Sequence, residues 1–171
     1  TTQPYGHSLR ECRTFRTLEV SMMRRFLLLM VAVVGNVYAT PEDDKAIKET
    51  ARRTSRAESE VRLSLGGCDR DQSSISTCAE YEFVKADQRL NRLYREQLAR
   101  VKGTTSERPL VLAQKAWVRF RDLDCDYQAS VIVGGSMHGQ WVLDCMRDRT
   151  VERTTHIESF LNCTANGCPG Q

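Results

Sequence analysis

The sequence predicts an all-α protein, namely a small antiparallel bundle of three main helices with a loosely attached N-terminal helix, cross-linked by disulfide bonds. Two stretches repeat apolar residues every three or four positions, the period of an amphipathic helix. Six cysteines follow a segment with the pattern of an export leader, so we expect them to pair in an oxidising compartment. No stretch alternates apolar and polar residues long enough to predict a strand.

Residues 22–39 have the three parts of a secretory signal peptide. A start at Met22 or Met23 is followed by two arginines and an apolar run, and Ala39 offers a small residue for cleavage. The apolar run is about half of the ~20 residues that a membrane span needs, so we expect removal of the leader and no membrane anchor. Residues 1–21 are interpreted as upstream sequence included by mistake. The product is expected to be periplasmic or secreted.

The net charge gives no reason to expect a nucleic-acid partner. The chain has a formal net charge of +3, and its first 39 residues hold five arginines against two glutamates. The processed chain is therefore close to neutral, which is not typical of proteins that bind nucleic acid or anionic membranes.

The first predicted helix starts at Thr40, a capping residue followed by Pro41 and several acids. It continues to Leu65 with a thin apolar stripe, so residues 40–67 are expected to form a charged helix or linker that packs loosely. Two glycines end it, and residues 68–76 are predicted to be a polar loop.

Two longer helices follow. The first is predicted to begin at Thr77, which has a capping-box glutamate three residues later, and to run to Gly103. The second runs from Ser106 to about Gln128. Their apolar positions are Phe83, Leu90, Leu93, Tyr94, Leu98 and Val101, then Leu110, Ala113, Trp117 and Phe120. The short connection predicts an antiparallel hairpin, which brings Cys125 near the start of the first helix.

A loop separates the second long helix from a third. Residues 129–139 combine β-branched apolar residues with three glycines, a composition typical of a loop. The third helix is predicted from about Gln140 to Leu161. The helical domain thus covers residues 68–162, and residues 163–171 form a tail that contains two cysteines.

Six cysteines allow many connectivities, and we favour pairs that are close in sequence. These are Cys68–Cys78, Cys125–Cys145 and Cys163–Cys168. The hairpin also permits Cys125 to join one of the first two cysteines. The spacings lack the C-x₂-C pairs of a zinc site, so we expect no metal and no cofactor.

Polar side chains interrupt the apolar faces of the long helices at helical spacing. They are Asp87, Asn91, Tyr94, Gln114, Trp117, Arg121 and, on the third helix, Arg153. We interpret them as a structural polar network, because charged groups survive burial chiefly when they are paired. A recognition surface is the alternative interpretation.

The order of cysteine, aromatic and amide positions is the most specific pattern in the chain. It reads Cys68 and Cys78, Asp87-x-x-Leu90-Asn91-x-x-Tyr94, Gln114-x-x-Trp117-x-x-Phe120-Arg121-Asp122-x-x-Cys125, Gly134-Gly135-Ser136, Cys145 and Thr150-x-x-Arg153. This pattern resembles the LprI-type lysozyme inhibitor family over residues 68–161. The resemblance implies a small, exported, helical, disulfide-bonded bacterial domain, and some family members inhibit lysozyme. The chain departs from the family in lacking a lipoprotein cysteine and in carrying Cys163 and Cys168.

If the chain acts as such an inhibitor, it blocks the cleft of a lysozyme-type muramidase sterically and is not an enzyme. Two carboxyl groups perform catalysis in such a cleft, and an inhibitor need only cover them. We expect residues 131–138 to insert, and acids near the Cys125–Cys145 pair to supply a local negative patch. The expected contact residues are Gly134, Gly135, Ser136, His138, Asp122 and Asp126. The partner is a lysozyme or another cell-wall hydrolase, and the oligomeric state is left open.

A third hypothesis, an envelope hydrolase, has little support from catalytic patterns. The chain has no nucleophile elbow, phosphate-binding loop or His-Glu-x-x-His motif, and near neighbours such as Ser136 and His138 on a loop do not indicate a nucleophilic pair. The alternative function is a periplasmic structural or assembly protein, in which the thinly striped residues 42–65 dock on another envelope protein.

Overall fold

A computed structural model describes residues 40–164 and 166–169, so the predicted leader (residues 22–39) and upstream segment (residues 1–21) lie outside the described residues. The described chain contains helices and no strand, which confirms the all-α prediction. Its helices are α1 (Pro41–Thr54), α2 (Glu58–Leu65), α3 (Gln72–Val101), α4 (Glu107–Ala129), a 3₁₀ turn (Ser130–Ile132) and α5 (His138–Leu161). None of these described helices has both the length and the apolar character needed to cross a bilayer.

α1 begins where the sequence predicts, because Thr40 caps it. The Thr40 hydroxyl accepts the backbone N–H of Asp43 at 3.2 Å, and the Asp43 carboxylate accepts the backbone N–H of Thr40 at 3.1 Å. Hydrogen bonds from Thr40 and Lys85 hold the pKa of Asp43 well below its usual range. The charged carboxylate also accepts the hydroxyl of Tyr81 at 2.9 Å, which ties α1 to α3.

The N-terminal segment forms two helices, whereas the sequence predicts one continuous helix as far as Leu65. α1 ends at Ser55, whose φ of 54° is left-handed and turns the chain out of the helix. α2 then returns beside α1, where Arg62 pairs with Asp44 at 2.8 Å. The prediction of a single helix was wrong, because no local sequence pattern indicated this turn.

The two short helices pack closely on α3, which corrects the expectation of a loosely attached segment. Their buried cluster contains Ala46, Ile47, Ala51, Val61, Tyr81 and Val84, with Leu65 packed against it. Tyr81 and Val84 form a second apolar face of α3. This face was not predicted, because only one apolar stripe was expected on each helix.

α3 begins at Gln72, not at the predicted cap Thr77. The Asp71 carboxylate accepts the backbone N–H of Ser74 at 2.7 Å and is the N-cap. Thr77 lies inside the helix, where its hydroxyl donates to the carbonyl four residues earlier at 2.8 Å. The predicted loop at residues 68–76 is therefore only a short turn, because residues 72–76 belong to α3.

α4 runs antiparallel to both α3 and α5. Its pairing with α5 is set by the Cys125–Cys145 disulfide and by a hydrogen bond from Arg153 to Gln114 at 3.1 Å. α5 packs along α3 more extensively than α4 does. α5 therefore covers much of the α3 surface that the hairpin prediction assigned to α4.

α4 buries two polar residues and leaves several large apolar residues exposed. Its buried residues are Gln114, Arg121, Cys125 and Ala129. Phe120, which the sequence analysis placed on the apolar stripe, is 56% exposed, and Trp117 is half-buried. The helical spacing was predicted, but the face that meets the core was not.

The disulfide bonds join the cysteines that are near in sequence. They are Cys68–Cys78, Cys125–Cys145 and Cys163–Cys168, with Cα separations of 5.8, 5.5 and 5.7 Å. These separations lie in the ordinary range for a disulfide. The sequence favoured this set, and Cys125 is not joined to either of the first two cysteines.

Candidate partner-binding site

The α4–α5 loop (residues 130–138) is closed at its base by the Cys125–Cys145 disulfide. After the 3₁₀ turn, the N–H of Gly135 donates to the carbonyl of Ile132 at 2.9 Å, and the N–H of His138 donates to the carbonyl of Gly135 at 3.1 Å. These successive turns give the loop a defined backbone.

Two predicted contact residues, Gly134 and Gly135, shape this backbone. Gly134 has a φ of 82°, a conformation that side-chain-bearing residues rarely adopt. A Cβ atom at Gly135 would lie 3.1 Å from the carbonyl oxygen of Ile132, which is tighter than an ordinary contact. The glycines therefore set the path of the loop.

The loop exposes mainly apolar side chains. The exposed apolar residues in and beside it are Val131, Val133, Met137 and Trp141. Ser136 is exposed as well, whereas His138 is half-buried at the first position of α5. Sequence reasoning emphasised the two polar residues and overlooked the apolar ones, although β-branched residues beside glycines were a visible signal.

Three acids near the disulfide form ion pairs with arginines. The N···O distances are 2.7, 3.0 and 2.9 Å for Asp122–Arg121, Asp124–Arg149 and Asp144–Arg147. Asp126 is exposed and has no ion-pair partner among the described residues. Each of these arginines also pairs with a second carboxylate, namely Asp87, Glu152 or Asp148, so the predicted negative patch stays a prediction.

Asp124 also lies beside the Cys125 and Cys145 sulfurs, with the three ligand atoms within 4.8 Å of one another. The two sulfurs are bonded to each other, so neither is a thiolate that could bind a metal ion. The chemistry of this cluster does not support a metal centre.

Arg121 lies within a stack of guanidinium groups and aromatic rings. Its guanidinium carbon is 5.2 Å from the ring centre of Phe83 and 5.3 Å from that of Trp117. Arg53 lies 5.4 Å from Phe83, and Arg153 lies 5.9 Å from Trp117. We call these five residues the arginine–aromatic stack, and they join α1, α3, α4 and α5.

Polar side chains pair with the cations of the arginine–aromatic stack. Asp87 lies 3.8 Å from Arg121 and 3.7 Å from Arg53, and it accepts a hydrogen bond from Asn91 at 3.0 Å. Arg121 itself is only 8% exposed. An ion pair within the predicted polar network therefore joins α3 and α4.

The other end of the predicted network lies at Arg153. It donates to Gln114 at 3.1 Å, and burial lowers the pKa of Arg153. Tyr94, which is half-buried, offsets part of this effect electrostatically. All seven predicted network residues thus lie in or beside one cluster.

Sequence reasoning missed Arg53 and Glu80, because α1 was expected to pack loosely. Their side chains lie 3.4 Å apart, and burial raises the pKa of Glu80. Arg52 and Arg53 donate to Glu49 and lower the pKa of Glu49 to about 2. These contacts extend the network into the N-terminal helices, which no local sequence pattern indicated.

The segment that holds the loop and most of the arginine–aromatic stack matches a known family. The family described as "Lysozyme inhibitor LprI" matches residues 68–156, just over half of the chain. The protein belongs to the LprI family. The match includes α3, α4, the α4–α5 loop and most of α5, and it begins after α1 and α2.

A curated relative is the uncharacterized protein R02472 of Rhizobium meliloti (strain 1021). It is 28% identical over 107 residues, which cover 56% of this chain and 77% of the relative. No solved structure matches the chain. The family and the local geometry are therefore the basis for the functional argument.

Proposed function

We propose that this protein is exported and inhibits a lysozyme-type muramidase by placing the α4–α5 loop in its cleft. The observation that carries the proposal is a disulfide-closed loop with exposed apolar side chains inside the family-matched segment. The protein performs no reaction itself, since covering the cleft is sufficient to stop the enzyme.

A loop that inhibits by insertion binds more tightly if it loses little conformational entropy on binding. The Cys125–Cys145 bond and the turns around Gly135 restrict the free loop, so ordering it on binding costs less. Val131 and Val133 are 76% and 71% exposed, and their removal from water on insertion favours binding. The Ser136 hydroxyl can donate a hydrogen bond to a cleft carboxylate.

Export is supported by the use of cysteine. Three disulfide bonds are typical of an oxidising compartment, and residues 22–39 have the pattern of a cleavable leader. An exported protein meets enzymes that degrade the cell wall, which fits the proposed partner.

Apolar contact is expected to dominate over charge attraction. Three acids near the loop already have arginine partners, which weakens their attraction for a cationic enzyme. The loop therefore carries the proposed contact, and Asp126 is at most a secondary one.

The proposal is tested by Val133→Asp in a turbidity assay of lysozyme-driven cell-wall lysis. We expect the inhibition constant to rise at least about tenfold, because a carboxylate would be buried without a partner in the cleft. Val151→Asp is the matched control, since Val151 is 52% exposed and lies more than three turns along α5 from the loop. If both variants fold and inhibit like the wild type, the loop is not the contact.

The alternative role in envelope assembly has lost the observation that favoured it. That role required residues 42–65 to offer an underburied apolar stripe to a partner. Ala46, Ile47 and Val61 are instead buried against α3. We therefore retain inhibition as the conclusion.

A further inference from the structure

The outer side of α4 carries a continuous apolar row. We call it the α4 outer stripe: Leu112, Ala116, Phe120, Leu123 and Tyr127. Its four large side chains are 55%, 56%, 59% and 78% exposed. Steps of three and four residues place all five on one helix face, opposite the buried face that contains Gln114 and Arg121.

Single exposed apolar residues are ordinary, but a row of this length is not. The α4 outer stripe extends over about 22 Å at ~1.5 Å per residue, and contiguous apolar surface of this kind marks an interface. A partner that covered the outer side would remove Phe120 and Tyr127 from water, which favours association.

The charges beside the stripe point to a particular occupant. Lys115 and Arg119 precede Phe120, the centre of the stripe, whereas Asp122 and Asp126 follow it. At about 100° per residue, all four lie along the same flank of the stripe. Within the described residues, Lys115, Arg119 and Asp126 have no ion-pair partner in their own chain, and Asp122 is bonded to Arg121.

A second copy of this chain fits such a surface. In a two-fold symmetric pair, antiparallel α4 helices centred on Phe120 bring each flank against the same flank of the other copy. Leu112 then meets Tyr127, and Ala116 meets Leu123. The basic half of each flank faces the acidic half of the other, so Lys115 pairs with Asp126.

We propose that the protein forms a homodimer through the α4 outer stripe. The flank is basic over one half and acidic over the other, so it matches an antiparallel copy of itself better than a uniformly cationic enzyme. This inference does not depend on inhibition of a muramidase, because it uses a different face from the α4–α5 loop.

The first test is a sedimentation experiment on the processed protein, which is purified from an oxidising compartment. The wild type is expected to dimerise. Leu123→Glu should raise the dimer dissociation constant at least about a hundredfold, because it places two carboxylates in the apolar contact. Leu63→Glu is the matched control, since Leu63 is 66% exposed on α2 and should leave the dimer unchanged.

The second test asks whether the copies are antiparallel. Lys115→Glu and Asp126→Lys should each weaken self-association about tenfold or more, because each creates two like-charge contacts in the symmetric dimer. An equimolar mixture of the two variants should restore association as a heterodimer, in which both contacts are attractive. Circular dichroism confirms that each variant is folded.

Three results would overturn the proposal. A monomeric wild type at high concentration would exclude the dimer. A dimer that Leu123→Glu does not weaken would use another face. If the protein is a monomer and its lysozyme binding is lost with Leu123→Glu and kept with Val133→Asp, the stripe binds the enzyme, and the loop proposal is refuted as well. If binding is instead lost with Val133→Asp and kept with Leu123→Glu, the loop proposal stands.

Discussion

At the scale of single residues, Arg121 explains why this fold tolerates a polar interior. Its charge is paired with Asp87 and Asp122, and its planar group lies between two aromatic rings. A guanidinium can make ionic and stacking contacts at once, which a lysine ammonium does less well. We infer that the arginine–aromatic stack fixes the relative positions of the helices.

Replacing Arg121 tests this structural role. Arg121→Met keeps an unbranched apolar side chain but removes the guanidinium and leaves Asp87 with fewer cationic partners, so we expect the free energy of unfolding to fall by about 2–3 kcal/mol. Urea denaturation followed by circular dichroism measures the change. Arg95→Met, at an exposed position on α3, should change it by less than about 0.5 kcal/mol. Unchanged stability together with lost inhibition would instead assign Arg121 to recognition.

At the scale of elements, the α4–α5 loop is a short connection held at both ends. The disulfide links positions 20 residues apart and restricts the unfolded chain as well as the loop. The loop is therefore expected to depend on this bond for both its stability and its shape.

Removing the Cys125–Cys145 bond should affect stability and inhibition differently from removing the tail disulfide Cys163–Cys168. The double variant Cys125→Ala, Cys145→Ala should lose about 2–4 kcal/mol of unfolding free energy and weaken inhibition, because the loop becomes more flexible. Thermal denaturation and the lysis assay measure the two effects. The control Cys163→Ala, Cys168→Ala opens only the terminal loop and should retain inhibition. Equal losses in both double variants would contradict the special role of the first bond.

Local signals in the sequence were sufficient to predict that the elements are helices and to predict much of their order. Thr40 marks the start of α1, and the short connection before α4 reverses the chain. They failed where tertiary contacts decide the outcome. The left-handed turn at Ser55, the cap at Asp71 and the packing of Tyr81 against α1 depend on contacts that periodicity does not register.

The closed loop was predictable from the sequence, but the chemistry of its surroundings was not. Two cysteines around a glycine-containing segment indicate a closed loop. The pairing of Asp124 with Arg149 was not visible, because these residues lie 25 positions apart on different helices. Periodicity likewise could not show which face of α4 meets the core, because Phe120 and Arg121 both follow Trp117 at helical spacing.

At the scale of the whole molecule, the surfaces have separate proposed roles. The α1–α2 pair completes an apolar core with α3, the outer face of α4 offers a contact for a second copy, and the α4–α5 loop offers a contact for an enzyme. Because Phe120 is central to one surface and Val133 to the other, single substitutions can test each role independently.

Inhibition itself is the central claim, and one measurement tests it most directly. Purified protein is added in increasing amounts to a panel of lysozymes that are lysing a suspension of bacterial cell walls, and turbidity is followed. The account predicts that lysis by at least one lysozyme slows in a saturable manner and stops at excess inhibitor. An unchanged rate for every lysozyme at large molar excess of folded, disulfide-bonded protein would contradict it.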